Sequence, residues 1–207
     1  MQANQTIKSK EQQTFTDSLR VIFSKELSNI GGLLNKWGIH PNMLTTIGLV
    51  GTAIGAIFVA IGSFSIGGFI IMLMGAFDAL DGAVARARGD PEDFGAFVDS
   101  VTDRYIELAI YGGLMWYYVS NDYLRASVLI FLAAAGTVMV SYVRARAQSL
   151  GFEAKVGILT RVERYLVIGP SILLRVPLIG VVIVAVFANI TAIQRIIHVR
   201  RQARGHY

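Results

Sequence analysis

The chain has 207 residues, of which 54% are hydrophobic and 16% charged, and it contains no Cys. A mean hydropathy of +0.54 is too high for an ordinary soluble domain, and the length suits one compact helical bundle rather than two domains. A formal net charge of +5 with a pI near 9.6 fits basic loops beside anionic lipid headgroups rather than nucleic acid, and the lack of thiols excludes disulfides and thiol chemistry.

Met1 to Gln13 is polar and lacks the apolar core of a cleaved signal peptide. From Phe15 to Trp37 the residues Phe15, Leu19, Ile22, Phe23, Leu27, Ile30, Leu33 and Leu34 recur at helical spacing. Lys25, Glu26, Asn29 and Lys36 fall on other faces. With Arg20 and Trp37, this predicts an N-terminal amphipathic helix at the membrane interface; an ordinary helix covering the bundle fits the same pattern. Ile39-His40-Pro41-Asn42 breaks it, and Pro41 can open the next helix. Six apolar helical stretches then follow, at about 42–61, 65–87, 94–119, 124–147, 161–174 and 177–199. The expected fold is an all-α integral membrane protein with six transmembrane helices. Residues 1–40 form a cytoplasmic N-terminal segment and residues 41–207 the membrane domain. No internal repeat or low-complexity stretch is visible.

Positive charge sets the orientation. Lys8, Lys10, Arg20, Lys25 and Lys36 precede the first span, and Arg86 and Arg88 separate the second from the third. Arg144, Arg146, Lys155, Arg161 and Arg164 lie between the fourth and fifth, and Arg195, Arg200, Arg201 and Arg204 close the chain. The other side keeps only Arg125 and Arg175. Both termini are therefore expected in the cytoplasm, in a plasma-membrane protein.

The second and third spans meet at a stretch rich in carboxylates, Asp78 to Asp103, with the pattern D-x2-D-G-x2-A-R-x8-G-x3-D-x3-D. An Asp at a membrane-helix centre costs about 2.5–3.5 kcal/mol, less towards the interface, and neighbouring carboxylates repel one another. Asp78 and Asp81 share one helix face, as do Asp99 and Asp103. Two helices packed along those faces would bring all four carboxylates to one pocket. Oxygen-only ligation suits Mg²⁺ or Mn²⁺, and the three His lie far away in sequence. Gly82, Ala85 and Gly95 leave room on the same face, and Arg86 returns to it with a charge suited to phosphate. Gly89 to Asp93 reads as a turn, with Gly89 stopping one helix and Asp90 capping the next. Three uses remain open for the cluster: structural ion pairs with Arg86, Arg88 and Arg104, a proton or cation pathway, and a metal-dependent phosphate site.

A second cluster follows the fourth span. Positive-inside bias accounts for part of it. Arg161 and Arg164 share one face, and Arg195 sits within an apolar run, so these basic groups near a metal site could hold an anionic substrate.

The acidic pattern resembles the signature of the CDP-alcohol phosphotransferases, integral-membrane enzymes of phospholipid synthesis. Asp78, Asp81, Gly82, Ala85, Arg86, Gly95, Asp99 and Asp103 fill every fixed position. Pro41-Asn42-Met43-Leu44-Thr45 is similar to the family's P-N-x-L-T nucleotide contact. R-A-R-A followed by G-x3-R-x-x-R resembles the phosphatidylinositol-phosphate synthase branch. The likeness implies two Mg²⁺ ions, with Mn²⁺ as a substitute. Asp78, Asp81 and Asp99 would hold one, and Asp78, Asp99 and Asp103 the other. It implies CDP-diacylglycerol, or a related CDP-lipid, bound near Gly82, Ala85, Arg86 and Glu92. Asp103 would act as general base. Arg146, Arg164 and Arg195, with Arg161 beside them, would bind the phosphate of inositol phosphate or of another phosphorylated polyol. A homodimer among membrane lipids is the family expectation. Glycerol 3-phosphate is the rival acceptor, giving a phosphatidylglycerol-phosphate synthase; serine suits so basic a cluster less well. Outside that class, a cation transporter would place its carboxylates near the bilayer midplane on broken helices. A lipid-binding scaffold would leave the spacing of four Asp residues unexplained.

Overall fold

The computed structural model describes residues 15–89 and 93–205, with side chains for 25–89 and 94–205. Among these it contains seven helices and no strand: α1 (Phe15–Lys36), α2 (Pro41–Ala60), α3 (Phe64–Arg88), α4 (Asp93–Ser120), α5 (Leu124–Ser149), α6 (Arg161–Leu173) and α7 (Pro177–Gly205). Each expected element is present. Most ends shift by a residue or two, but α7 runs on from the expected stop at Val199 to Gly205. Arg200, Gln202 and Arg204 are good helix formers in water, so the hydrogen-bond ladder outlasts the apolar stretch. Asp90, Pro91 and Glu92 of the expected α3–α4 turn, residues 1–14, and the side chains of Phe15, Leu19, Arg20, Ile22 and Phe23 lie outside the described residues.

Four helices, α2, α3, α5 and α7, are long and apolar enough to cross a membrane. The other two expected spans fall short for different reasons. α4 carries Asp99, Asp103, Arg104 and Glu107 between its start and its middle. α6 has only 13 residues, a rise of roughly 20 Å against a hydrocarbon core of about 30 Å. Ile57, Phe69, Phe131 and Phe187 stand exposed on the long helices, as lipid-facing side chains do.

Three connections share one construction. Ile61-Gly62-Ser63, Asn121-Asp122-Tyr123 and Leu174-Arg175-Val176 each join two helices in three residues. The middle residue is left-handed every time, with φ of 84° at Gly62, 63° at Asp122 and 64° at Arg175. The third residue's N–H reaches five residues back, to Phe58 O, Tyr118 O and Ser171 O, at 2.8–2.9 Å. These are Schellman-type stops, which satisfy carbonyls left over at a helix end. The pairs α2–α3, α4–α5 and α6–α7 are thus three tight hairpins. The sequence hides this repetition because only one of the three left-handed positions is a glycine. The connections 37–40 and 150–160, and the helix ends at Gly89 and Asp93, lie at the opposite end, with the Asp residues.

Small residues let the helices close up where lipid offers no hydrophobic drive for association. A Cβ on Gly113 of α4 would strike the backbone of Ala56 on α2, and one on Gly68 of α3 would strike Leu173 on α6. One on Gly31 of α1 would come within 2.8 Å of the Ala83 backbone. α1 is therefore docked on α3, where Arg88 Nε also donates to Asn35 Oδ1 at 3.1 Å, while Ile30, Leu33 and Trp37 remain exposed. The central core joins Val59, Ile71, Ile110, Leu114, Ile130, Ile172, Val181 and Val184.

Overpacking at such a contact costs about 1–3 kcal/mol. Gly113→Val should lower the thermal unfolding midpoint of the detergent-solubilised protein by several degrees. The adjacent Gly112→Val, whose Cβ would meet nothing within 4 Å, should leave it near wild type.

Candidate active site

α3, α4 and α6 converge at the end of the bundle opposite the tight turns. Asp78, Asp99 and Asp103 each offer an oxygen within 4.8 Å of the others. The spacing of four on α4 puts Asp99 and Asp103 on one face, and α3 brings Asp78 across to them. Asp81 points elsewhere: its Oδ2 accepts a 2.8 Å hydrogen bond from Thr45 Oγ1 on α2. Three carboxylates therefore gather where four were expected. Asp81, three residues beyond Asp78, stops about 60° short of a full turn from it, far enough to face α2 instead of α6.

Arg161, the first residue of α6, occupies the middle of the cluster. Its Nη2 and Nη1 donate to Asp78 Oδ1 at 2.9 Å and Asp78 Oδ2 at 3.1 Å, and Nη2 lies 2.5 Å from Asp103 Oδ1. Asp103 Oδ1 is fully buried yet accepts no well-formed hydrogen bond. A buried carboxylate oxygen beside two other acids fits a divalent metal centre. The oxygen-only donor set favours a hard cation such as Mg²⁺ or Mn²⁺. Arg104 lies at the edge, 3.7 Å from Asp103 Oδ2, and donates to the Ser100 carbonyl.

One turn deeper is a second ion pair that the sequence reading missed. Arg164 Nε and Nη2 both donate to Glu107 Oε1, at 3.1 and 2.7 Å, and Nη1 donates to Leu159 O at 3.4 Å. Arg164 is 2% exposed and Glu107 7%. Glu107 is four residues beyond Asp103, so the spacing that located the acidic face also pointed to it. α6 is seated further by Tyr165, whose hydroxyl donates to Ile71 O above the bare Cα of Gly75.

Beside the acids opens a cavity of about 480 Å³, in the size range of small-molecule sites. Pro41, Asn42 and Thr45 line it from α2, Asp81, Gly82, Ala85 and Arg88 from α3, and Gly95, Ala96 and Asp99 from α4. The P-N-x-L-T segment and the acidic motif, far apart in sequence, thus form one wall. Leu44 is buried in the core, Met43 is 53% exposed, and neither lines the cavity. Arg86 is exposed beside Gly82, where a Cβ would lie 3.3 Å from its Nη1; Arg88 lines the cavity instead. His40, set aside on sequence distance, lines it too. Glu92 lies outside the described residues.

The basic residues do not form one patch. Arg161 sits among the acids and Arg164 beneath them. Arg195 is 3% exposed and donates to Val140 O at 2.6 Å and Val156 O at 2.9 Å, tying the 150–160 connection to α5 and α7. Arg146 is exposed, with Nη1 3.3 Å from Ser149 Oγ.

Residues 38–199 match the family model described as CDP-alcohol phosphatidyltransferase. The chain is 36% identical to the phosphatidylinositol phosphate synthase of Streptomyces avermitilis, over 89% of this chain and 82% of the relative. It is 37% identical to the archaetidylinositol phosphate synthase of Pyrococcus horikoshii, over 89% of this chain and 96% of the relative. Among solved structures it is similar to the phosphatidylinositol phosphate synthase of Mycobacterium tuberculosis with CDP-DAG bound, with a TM-score of 0.77, 26% identity, and coverage of 84% of this chain and 92% of that one. The same mycobacterial enzyme, solved in complex with manganese and citrate, superposes with a TM-score of 0.77 at 26% identity, covering 84% of this chain and 88% of that one.

Removing one partner of a buried ion pair strands the other and costs about 3–5 kcal/mol. Glu107→Ala should therefore destabilise the protein by that order in denaturant unfolding. Glu107→Leu combined with Arg164→Met, which removes both charges, should recover most of the loss.

Proposed function

This chain belongs to the CDP-alcohol phosphatidyltransferase family, and we propose that within it the protein transfers a phosphatidyl group from CDP-diacylglycerol to a hydroxyl of inositol phosphate. The supporting observation is a nucleotide-sized cavity that shares Asp99 with a cluster of three carboxylates. The two named relatives differ in their lipid and have an inositol phosphate headgroup in common, which supports that acceptor.

The acceptor hydroxyl oxygen attacks the phosphorus that carries the lipid. The bond from that phosphorus to the CMP oxygen breaks, CMP leaves, and the hydroxyl proton passes to the Asp103 carboxylate. Asp78, Asp99 and Asp103 would hold one divalent cation, and Asp81 is the further carboxylate available to a second. A divalent cation held there would supply charge neutralisation for the diphosphate and for the departing CMP. Pro41, Asn42 and Thr45 border the nucleotide. Gly82 and Ala85 leave space for it, and Arg86 and Arg88 stand at its phosphates. Arg161 is the basic residue nearest the reacting centre and takes the acceptor's phosphate; Arg164 supports it from beneath through Glu107, while Arg146 and Arg195 hold partners elsewhere.

The connections support six membrane crossings. If α3 and α5 both cross, α4 must return the chain between the acidic end and the tight turn at Asp122. If α5 and α7 both cross, α6 must do the same. Positive charge gathers at the acidic end, which supports a cytoplasmic site and cytoplasmic termini, with α1 on the membrane surface. The plasma membrane is the compartment this implies.

CMP release from CDP-diacylglycerol should require Mg²⁺ or Mn²⁺ and proceed faster with inositol 1-phosphate than with glycerol 3-phosphate. The reverse preference would reassign the acceptor. Asp103→Asn should lower kcat by about a hundred- to ten-thousandfold, and near-normal turnover would remove its role as base.

A further inference from the structure

We propose that Arg161 is a built-in cation of the acidic cluster which a divalent ion displaces, so that ion loading itself frees the arginine to bind the acceptor's phosphate. The second half of this rests on the function proposed above; the first half does not.

Three observations carry it. The Arg161 guanidinium covers both oxygens of Asp78, at 2.9 and 3.1 Å, and reaches Asp103 Oδ1 at 2.5 Å. Asp78 and Asp103 are two of the three residues whose oxygens come together. A small divalent ion needs those oxygens at about 2.0–2.2 Å, in directions the guanidinium now fills, and its charge repels the arginine's. Ion and arginine therefore compete for one set of lone pairs.

Second, Arg161 is free to leave. Its side chain is 31% exposed, as is that of Asp78, so the pair opens to one side. A long arginine side chain can swing out without any backbone movement.

Third, α6 has a separate anchor. Arg164 lies three residues further along the same face, and its side chain and that of Glu107 are 2% and 9% exposed. All three of its guanidinium nitrogens are engaged. Glu107–Arg164 holds the helix in place while Arg161 changes partner. The inner pair is thus a positioning device and the outer pair a latch. An acceptor phosphate arriving before the ion would find Arg161 already taken by carboxylates. Acceptor binding should consequently follow ion loading.

The test uses the full-length protein in detergent and two readouts besides turnover. In the wild type, phenylglyoxal labelling of Arg161, mapped by mass spectrometry, should be slow without metal and several-fold faster in saturating Mn²⁺, while Arg164 stays protected in both. Protection of Arg161 that persists in saturating Mn²⁺ overturns the proposal. Mn²⁺ binding is then followed by the loss of its free-ion EPR signal. Arg161→Gln should bind Mn²⁺ about tenfold more tightly than wild type, equivalent to about 1.4 kcal/mol. Inorganic phosphate should tighten Mn²⁺ binding in the wild type and do so much less in Arg161→Gln. Unchanged or weaker Mn²⁺ binding by the variant, or equal coupling to phosphate in both proteins, overturns the proposal. Because labelling is read on the wild type, a poorly folded variant does not remove the test. Lack of turnover with inositol 1-phosphate, alongside metal-induced exposure of Arg161, would reject the acceptor and leave the displacement standing.

Discussion

The structure depends on how three carboxylates are kept together at the end of an apolar bundle. Asp78, Asp99 and Asp103 approach within 4.8 Å on helices whose outer faces are greasy. Uncompensated, that arrangement suffers from both repulsion and lost hydration. The Arg161 guanidinium offsets both, and a divalent cation would do so more strongly. The position of α6 follows from this need, because a helix too short to be a convincing span still has to present its first residue to α3 and α4.

The surrounding architecture serves the same end. Three hairpins with identical stops hold the far side rigid in few residues, leaving the longer connections and the N-terminal helix for the acidic side. Missing side chains at Gly68 and Gly75 bring α6 close against α3, and one at Gly113 brings α4 close against α2, on which Thr45 meets Asp81. Below the site, the Glu107–Arg164 pair is sealed from solvent and fixes the register of α6 against α4. Charge is therefore arranged in two layers on the same pair of helices, one buried and satisfied, the other half-open and available for exchange.

Much of this could be read in advance, for identifiable reasons. Helix positions followed from apolar run lengths and from Gly and Pro punctuation, which are local properties. Asp78, Asp99 and Asp103 stood out because each sits at helical spacing in an apolar context that makes a carboxylate costly. What could not be read was which partner each charge would choose. Arg161, Arg164 and Arg195 look alike in the sequence, yet one meets acids, one a buried Glu and one backbone carbonyls. His40 and Arg88 line the cavity although neither stood out by motif. Glu107 holds no position in the motif, and its buried partner Arg164 is far from it in sequence.

Sequence alone determined the helical membrane class, the acidic face and the family, because hydropathy, period and motif spacing are written along one dimension. Only the tertiary structure decided that Asp81 turns to Thr45, that Arg161 lies among the carboxylates, and that Arg164 is locked beneath them. Those choices depend on helix rotation and on which faces pack together. A turn of some 60° about a helix axis changes a side chain's neighbours without altering its place in the chain.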